Sequence, residues 1–83
     1  MDEKYTSPVF LLTDIDVALT FMDVAETTDI EDTVTRNHQN ARKAYDTVLD
    51  FLSKLTLTPT DRQQVETKLA ILKARLQAVG QQL

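Results

Sequence analysis

The chain contains a single histidine, His38, and no cysteine. A histidine can serve as a general base or as a switch near neutral pH, but base catalysis needs a nucleophile or an orienting carboxylate placed with it. His38 stands in "RNHQN" with Asn37 at the fringe of an apolar face, and no such constellation accompanies it. The expectation is a solvated or hydrogen-bonded histidine at the edge of a helix seam. The sharper reading is a mild pH-sensitive site at an open end of a bundle. Asp29, Glu31 and Asp32 offer three carboxylates to a cation. They lack the glycine and the regular ligand spacing of a calcium loop, and carboxylates are favoured in the first turn of a helix by its macrodipole. Arg36, Arg42 and Lys43 lie among acids and form no nucleic-acid stripe. There is no glycine-rich phosphate loop, no H-E-x-x-H and no paired catalytic carboxylates. The expectation is a protein without catalytic residues, cofactor, metal or nucleic-acid partner.

The elements that position these residues must come from a small chain. Its 83 residues make one domain, 1–83. A chain of this size buries only about 60–65% of its unfolded surface, so a staple or a partner is often needed. Without cysteine there is no disulfide and no thiolate metal site, and one histidine leaves too few ligands for structural zinc. One glycine and two prolines suit helices better than strands. No apolar run approaches the roughly 18 residues of a membrane span. "MDEKYTSP" is acidic and polar, unlike a secretory signal. A cytoplasmic protein without membrane contact is expected. The net charge of −4 is unevenly spread: residues 1–32 hold nine acids against Lys4 alone (−8), and residues 33–83 hold eight bases against four acids (+4). An acidic first helix lying against more basic neighbours accounts for this; complementary faces on two copies are the sharper alternative.

Three helices are expected, at about 8–26, 29–56 and 59–80, behind a flexible tail over residues 1–7. In helix 1, Ser7 is a candidate N-cap with Pro8 at the first helical position, and a start at Thr13 or Asp14 is the alternative. Leu12, Ile15, Leu19 and Met22 share one face; Phe10, Val17, Phe21 and Val24 form a second stripe; Asp16, Thr20, Asp23 and Thr27 make the polar side. Apolar positions then cover about two thirds of the circumference, so helix 1 must meet two surfaces. Its Val, Ile, Thr and Asp content gives it poor intrinsic helicity. Helix 2 opens with Thr28 and Glu31 at capping-box spacing, then runs a heptad seam through Val34, His38, Ala41, Tyr45, Val48, Leu52 and Leu55. Pro59 cannot continue that helix, and Thr58 can cap the next. Helix 3 carries Val65, Leu69, Leu72, Leu76, Val79 and Leu83 at the same spacing, with Ala70, Ala74 and Ala78 on another side and Gly80 marking a frayed end.

Laid antiparallel, the two seams pair Leu55 with Val65, Leu52 with Leu69, Val48 with Leu72, Tyr45 with Leu76, Ala41 with Val79 and His38 with Leu83. The expected fold is all-α, an up-down-up three-helix bundle with an antiparallel heptad hairpin of helices 2 and 3. In this register helix 3 ends level with His38 while helix 2 continues back to Ile30. Val17, Phe21, Val24, Ile30 and Val34 then lack partners within one chain and form an interaction patch. A homodimer that buries them is expected, with a foreign protein helix as the alternative occupant.

"ARKAY" followed by Val48 resembles the second helix of a tetratricopeptide repeat, with Ala41, Tyr45 and Val48 at its small and aromatic positions. The preceding helix lacks the aromatic–Leu–Gly–Tyr pattern of that repeat, and no second repeat follows. Three helices in about 80 residues also look like a microtubule-interacting-and-trafficking domain, a family that binds short helical peptides between its helices. These resemblances imply a protein-binding role and assign no ligand-contacting residue.

Overall fold

A computed structural model describes residues 5–83. It contains three α-helices, α1 (Val9–Thr27), α2 (Glu31–Lys54) and α3 (Pro59–Ala78), packed as an up-down-up bundle. The body is a rod of 51 × 20 × 17 Å. Of the tail expected over residues 1–7, the first four lie outside the described residues; Thr6 donates its backbone N–H to the Thr56 carbonyl at 2.8 Å.

The seams of α2 and α3 are buried at Ala41, Tyr45, Val48 and Leu52 and at Val65, Leu69, Leu72 and Leu76. Val34 and His38 are half-buried, while Val79 and Leu83 are exposed. In α1 the buried face is Leu11, Ile15, Ala18, Met22 and Ala25, not the face centred on Leu12 and Leu19. Those two leucines are half-buried flanks. The reason is proximity: α1 and α2 are the closest pair of helices, and Ala18 and Ala25 on one side with Ala41 on the other leave the backbones room to approach. Choosing the bulkiest residues as the seam misplaces the axis when the closest contact is made by the smallest.

The register of α3 also differs from expectation. Lys68 Nζ lies 2.7 Å from Asp16, and Arg75 Nη2 lies 2.9 Å from Asp23 and also bonds Glu26. Arg62 Nη2 donates to the Leu52 carbonyl at 3.2 Å. Arg75 is therefore level with the last turns of α1, and α3 sits about one heptad nearer the α1–α2 turn than the pairing of Leu55 with Val65 requires. A heptad pattern is unchanged by a seven-residue slide, so the seams alone fit both registers. The short connection at 55–58 selects the deeper one. Its Leu57 is buried in the core. α3 consequently accompanies α1 to its end, and the open end expected near His38 is absent.

The helix ends explain the remaining differences. Pro8 is the N-cap of α1 rather than its first residue, and Ser7 makes only a long 3.4 Å contact with the Val9 N–H. The capping box at Thr28 does not form. Thr28 Oγ1 accepts from the Ile30 N–H at 3.2 Å, Ile30 is extended, and α2 starts at Glu31. Residues 28–30 bridge two helix axes about 8–10 Å apart, a distance that three extended residues can span. Thr58 does cap α3, accepting from the Asp61 N–H at 3.1 Å, with Pro59 following.

Gly80 does not mark fraying. It has φ +92°, the Gln81 N–H donates to the Leu76 carbonyl and the Gly80 N–H to that of Gln77, both at 3.0 Å. This is a Schellman cap. Arg42 then holds the chain beyond it, donating to Gln81 Oε1 and to the Gln82 carbonyl. Nothing lies within 4 Å of a Cβ added at position 80, so Gly80→Ala is expected to cost about 1 kcal/mol from backbone strain alone. A shift in the denaturation midpoint with unchanged slope would measure it.

Candidate docking face on the outer side of α1

The acids of α1 lie along one edge of its outer surface and are turned toward α3. Asp16, Asp23 and Glu26 all reach bases of α3. The Arg75 guanidinium is held above the ordinary arginine value, first by its hydrogen bond to Glu26, with burial opposing and Asp23 adding. These contacts give the acidic start of the chain its basic counterpart within the same molecule.

The adjoining side of α1, turned away from the core, carries Phe10, Thr13, Val17, Thr20, Val24 and Thr27 at alternating spacings of three and four. Phe10, Val17 and Val24 are 40%, 45% and 40% exposed. Thr20 Oγ1 donates to the Asp16 carbonyl and Thr27 Oγ1 to the Val24 carbonyl, each at 3.0 Å. With their hydroxyls bonded within the helix, these threonines can present methyl groups to a neighbour. Asp14, half-buried, flanks the stripe on one side, and Asp16 and Asp23 flank it on the other. At one end Phe10 meets Phe51 of α2 edge to face, with centroids 5.5 Å apart.

The five residues of the expected patch do not share one environment. Val17 and Val24 belong to this outer stripe. Phe21 is half-buried and packs against the core, and Val34 is half-buried near the start of α2. Ile30 is 63% exposed in the α1–α2 connection. The exposure of Val17 and Val24 does not come from an open end of the bundle. It comes from a second heptad seam on α1 that no helix among the described residues covers. By spacing, Thr20 and Thr27 belong with Asp16 and Asp23 to a single polar side; the signal that distinguishes them is that threonine, unlike aspartate, can turn its polar atom back onto its own helix.

The other surfaces differ. α2 shows solvent a charged face, with Arg42 pairing to Asp46 at 3.1 Å and Lys54 to Asp50 at 3.0 Å. A shallow groove of about 230 Å³ between α2 and α3 is lined by Tyr45, Leu49, Leu52, Leu69 and Ala70, with Glu66 and Lys73 at its rim. His38 makes no ion pair among the described residues. Among those residues no group of His, Asp and Glu is placed to hold a metal, and no helix is long and apolar enough to cross a membrane. Compared with known proteins, the chain matches no family model, no curated protein and no solved structure.

Proposed function

We propose that this protein is a non-catalytic helical interaction module that docks through the outer face of α1 and the start of α2, most simply onto a second copy of itself. The observation that carries this reading is the exposed, uncharged stripe of Phe10, Val17 and Val24. Contiguous apolar surface of this kind marks interaction sites, and a small core gains from covering it. Phe21, Ile30 and Val34 extend the surface toward the α1–α2 turn. Absent cysteine fits a reducing compartment, and a cytoplasmic location belongs to this reading. The partner is protein rather than nucleic acid or membrane, because five of the bases are engaged with acids of the same chain.

Light scattering across about 10 μM to 1 mM, the range of a weak interface, tests the reading. The wild-type mass should rise toward twice that of the monomer. Val17→Lys should remain monomeric with little change in denaturation midpoint, because position 17 contributes little to the core. A wild type that stays monomeric to 1 mM overturns self-association. The groove lined by Tyr45, Leu49, Leu69 and Ala70 favours a second reading, an adaptor that accepts a foreign amphipathic helix between α2 and α3. Leu49→Asp, and not Val17→Lys, would then abolish binding of that helix.

A further inference from the structure

We infer that two copies of the chain pair α1 against α1 in antiparallel orientation, through a seam of alternating large apolar residues and threonines. The pairing depends on α1's outer face being the docking surface, and it specifies the occupant and its direction.

The seam is complete. Phe10, Val17 and Val24 recur every seven residues, and Thr13, Thr20 and Thr27 fill the alternate positions, so both core positions of the heptad are occupied over the length of α1. No charged residue interrupts these six positions. A counterpart must be equally uncharged, since burying an unpaired charge against the seam would be strongly unfavourable. The outer face of α2 fails this requirement, carrying Asp32, Arg36, Lys43, Asp46 and Asp50. α1 of a second copy meets it. The copies can approach despite the acidic first third of the chain because Asp16, Asp23 and Glu26 are turned toward Lys68 and Arg75.

Side-chain size selects the direction. In a parallel pair like meets like: Phe10 opposes Phe10, Thr13 opposes Thr13, and Val17 opposes Val17. Wide and narrow layers would then alternate, and straight helices cannot hold one interaxial distance through them. In an antiparallel pair the two heptad positions oppose each other. Phe10 faces Thr27 of the second copy, Val17 faces Thr20 and Val24 faces Thr13, so every layer combines one large residue with one threonine. Antiparallel pairing also opposes the two helix dipoles. It also sets Asp16 beside Asp23 of the second copy at the edge of the seam, and both carboxylates are already paired, with Lys68 and Arg75 respectively.

The lack of native cysteine makes disulfide trapping clean. Full-length Phe10→Cys and Thr27→Cys chains are prepared separately, then mixed at about 0.5 mM, within the range expected of a weak interface, and oxidised. The mixture should yield a covalent dimer at least tenfold faster than either variant alone, because like positions at the seam's ends lie some 25 Å apart in the antiparallel pair. The inner pair Thr13→Cys with Val24→Cys, whose like positions lie about 16 Å apart along the axis, repeats the test where neither the Phe10 contact with Phe51 nor the helix end is disturbed. Rapid linking of Phe10→Cys to itself would establish the parallel pair and overturn the inference. A wild-type mass of twice the monomer without linking at either pair would place the contact elsewhere, and a mass rising past two would show head-to-tail growth; either result sinks it. A monomeric wild type at 1 mM would instead remove the docking reading itself.

Discussion

Leu11→Ala is expected to destabilise the folded chain by about 3 kcal/mol, and Leu12→Ala by only about 1 kcal/mol. The two residues are neighbours of identical type, but Leu11 is fully buried where α1 meets α2, whereas Leu12 flanks the core toward α3. Truncating Leu11 removes its transfer energy and leaves a cavity that the close-packed α1–α2 contact cannot collapse into. For a chain of this length total stability is about 4–12 kcal/mol, so the loss is a large share of the whole. Urea denaturation followed by circular dichroism would read both variants. A larger cost at Leu12 than at Leu11 would mean that α1 is rotated to the face its bulky residues suggest, and the outer seam described above would then turn inward.

Leu57→Ala is the second large effect, expected at about 2 kcal/mol or more. Leu57 lies between helices, in the extended stretch that joins α2 to α3, yet it is 7% exposed and belongs to the core cluster. It fills the end of the bundle and holds the connection at the length that sets the α3 register. Thr56→Ala beside it should be within about 0.5 kcal/mol of wild type, because Thr56 is exposed and the group it uses, its carbonyl bonded to Thr6, is retained. Equal effects at the two positions in a denaturation series would show that the connection is not packed.

Much of the bundle was legible in the sequence, and its failures have specific physical causes. Ala41, Tyr45, Val48 and Leu52, and Val65, Leu69, Leu72 and Leu76, are buried as their spacing requires, because a long run of threes and fours has one helical interpretation. Tyr45, the aromatic position in the repeat-like "ARKAY", is a core residue. The relative slide of α2 and α3 was not legible, since a periodic seam is degenerate by its own period and only a nonperiodic residue such as Leu57 breaks the tie. The phase of α1 was not legible either. Two apolar stripes compete on it, and alanines outrank leucines at a close crossing. Val17 and Val24 stood out from spacing alone, whereas the threonines between them became visible only when their hydroxyls were located.

The contact between α1 and α3 also has a consequence for how the protein is made. Asp16 waits for Lys68, synthesised 52 residues later, an interval of roughly 3–10 s at ordinary translation rates of about 5–20 residues per second. Throughout it α1, whose valines, threonines and aspartates hold a helix poorly on their own, has neither its ionic counterpart nor its second wall. Phe10, Leu11, Ile15 and Phe21 leave the ribosome in a segment that cannot yet fold. The order of synthesis therefore releases the apolar residues of α1 before the helix that completes their cover, and they stay exposed until α3 follows.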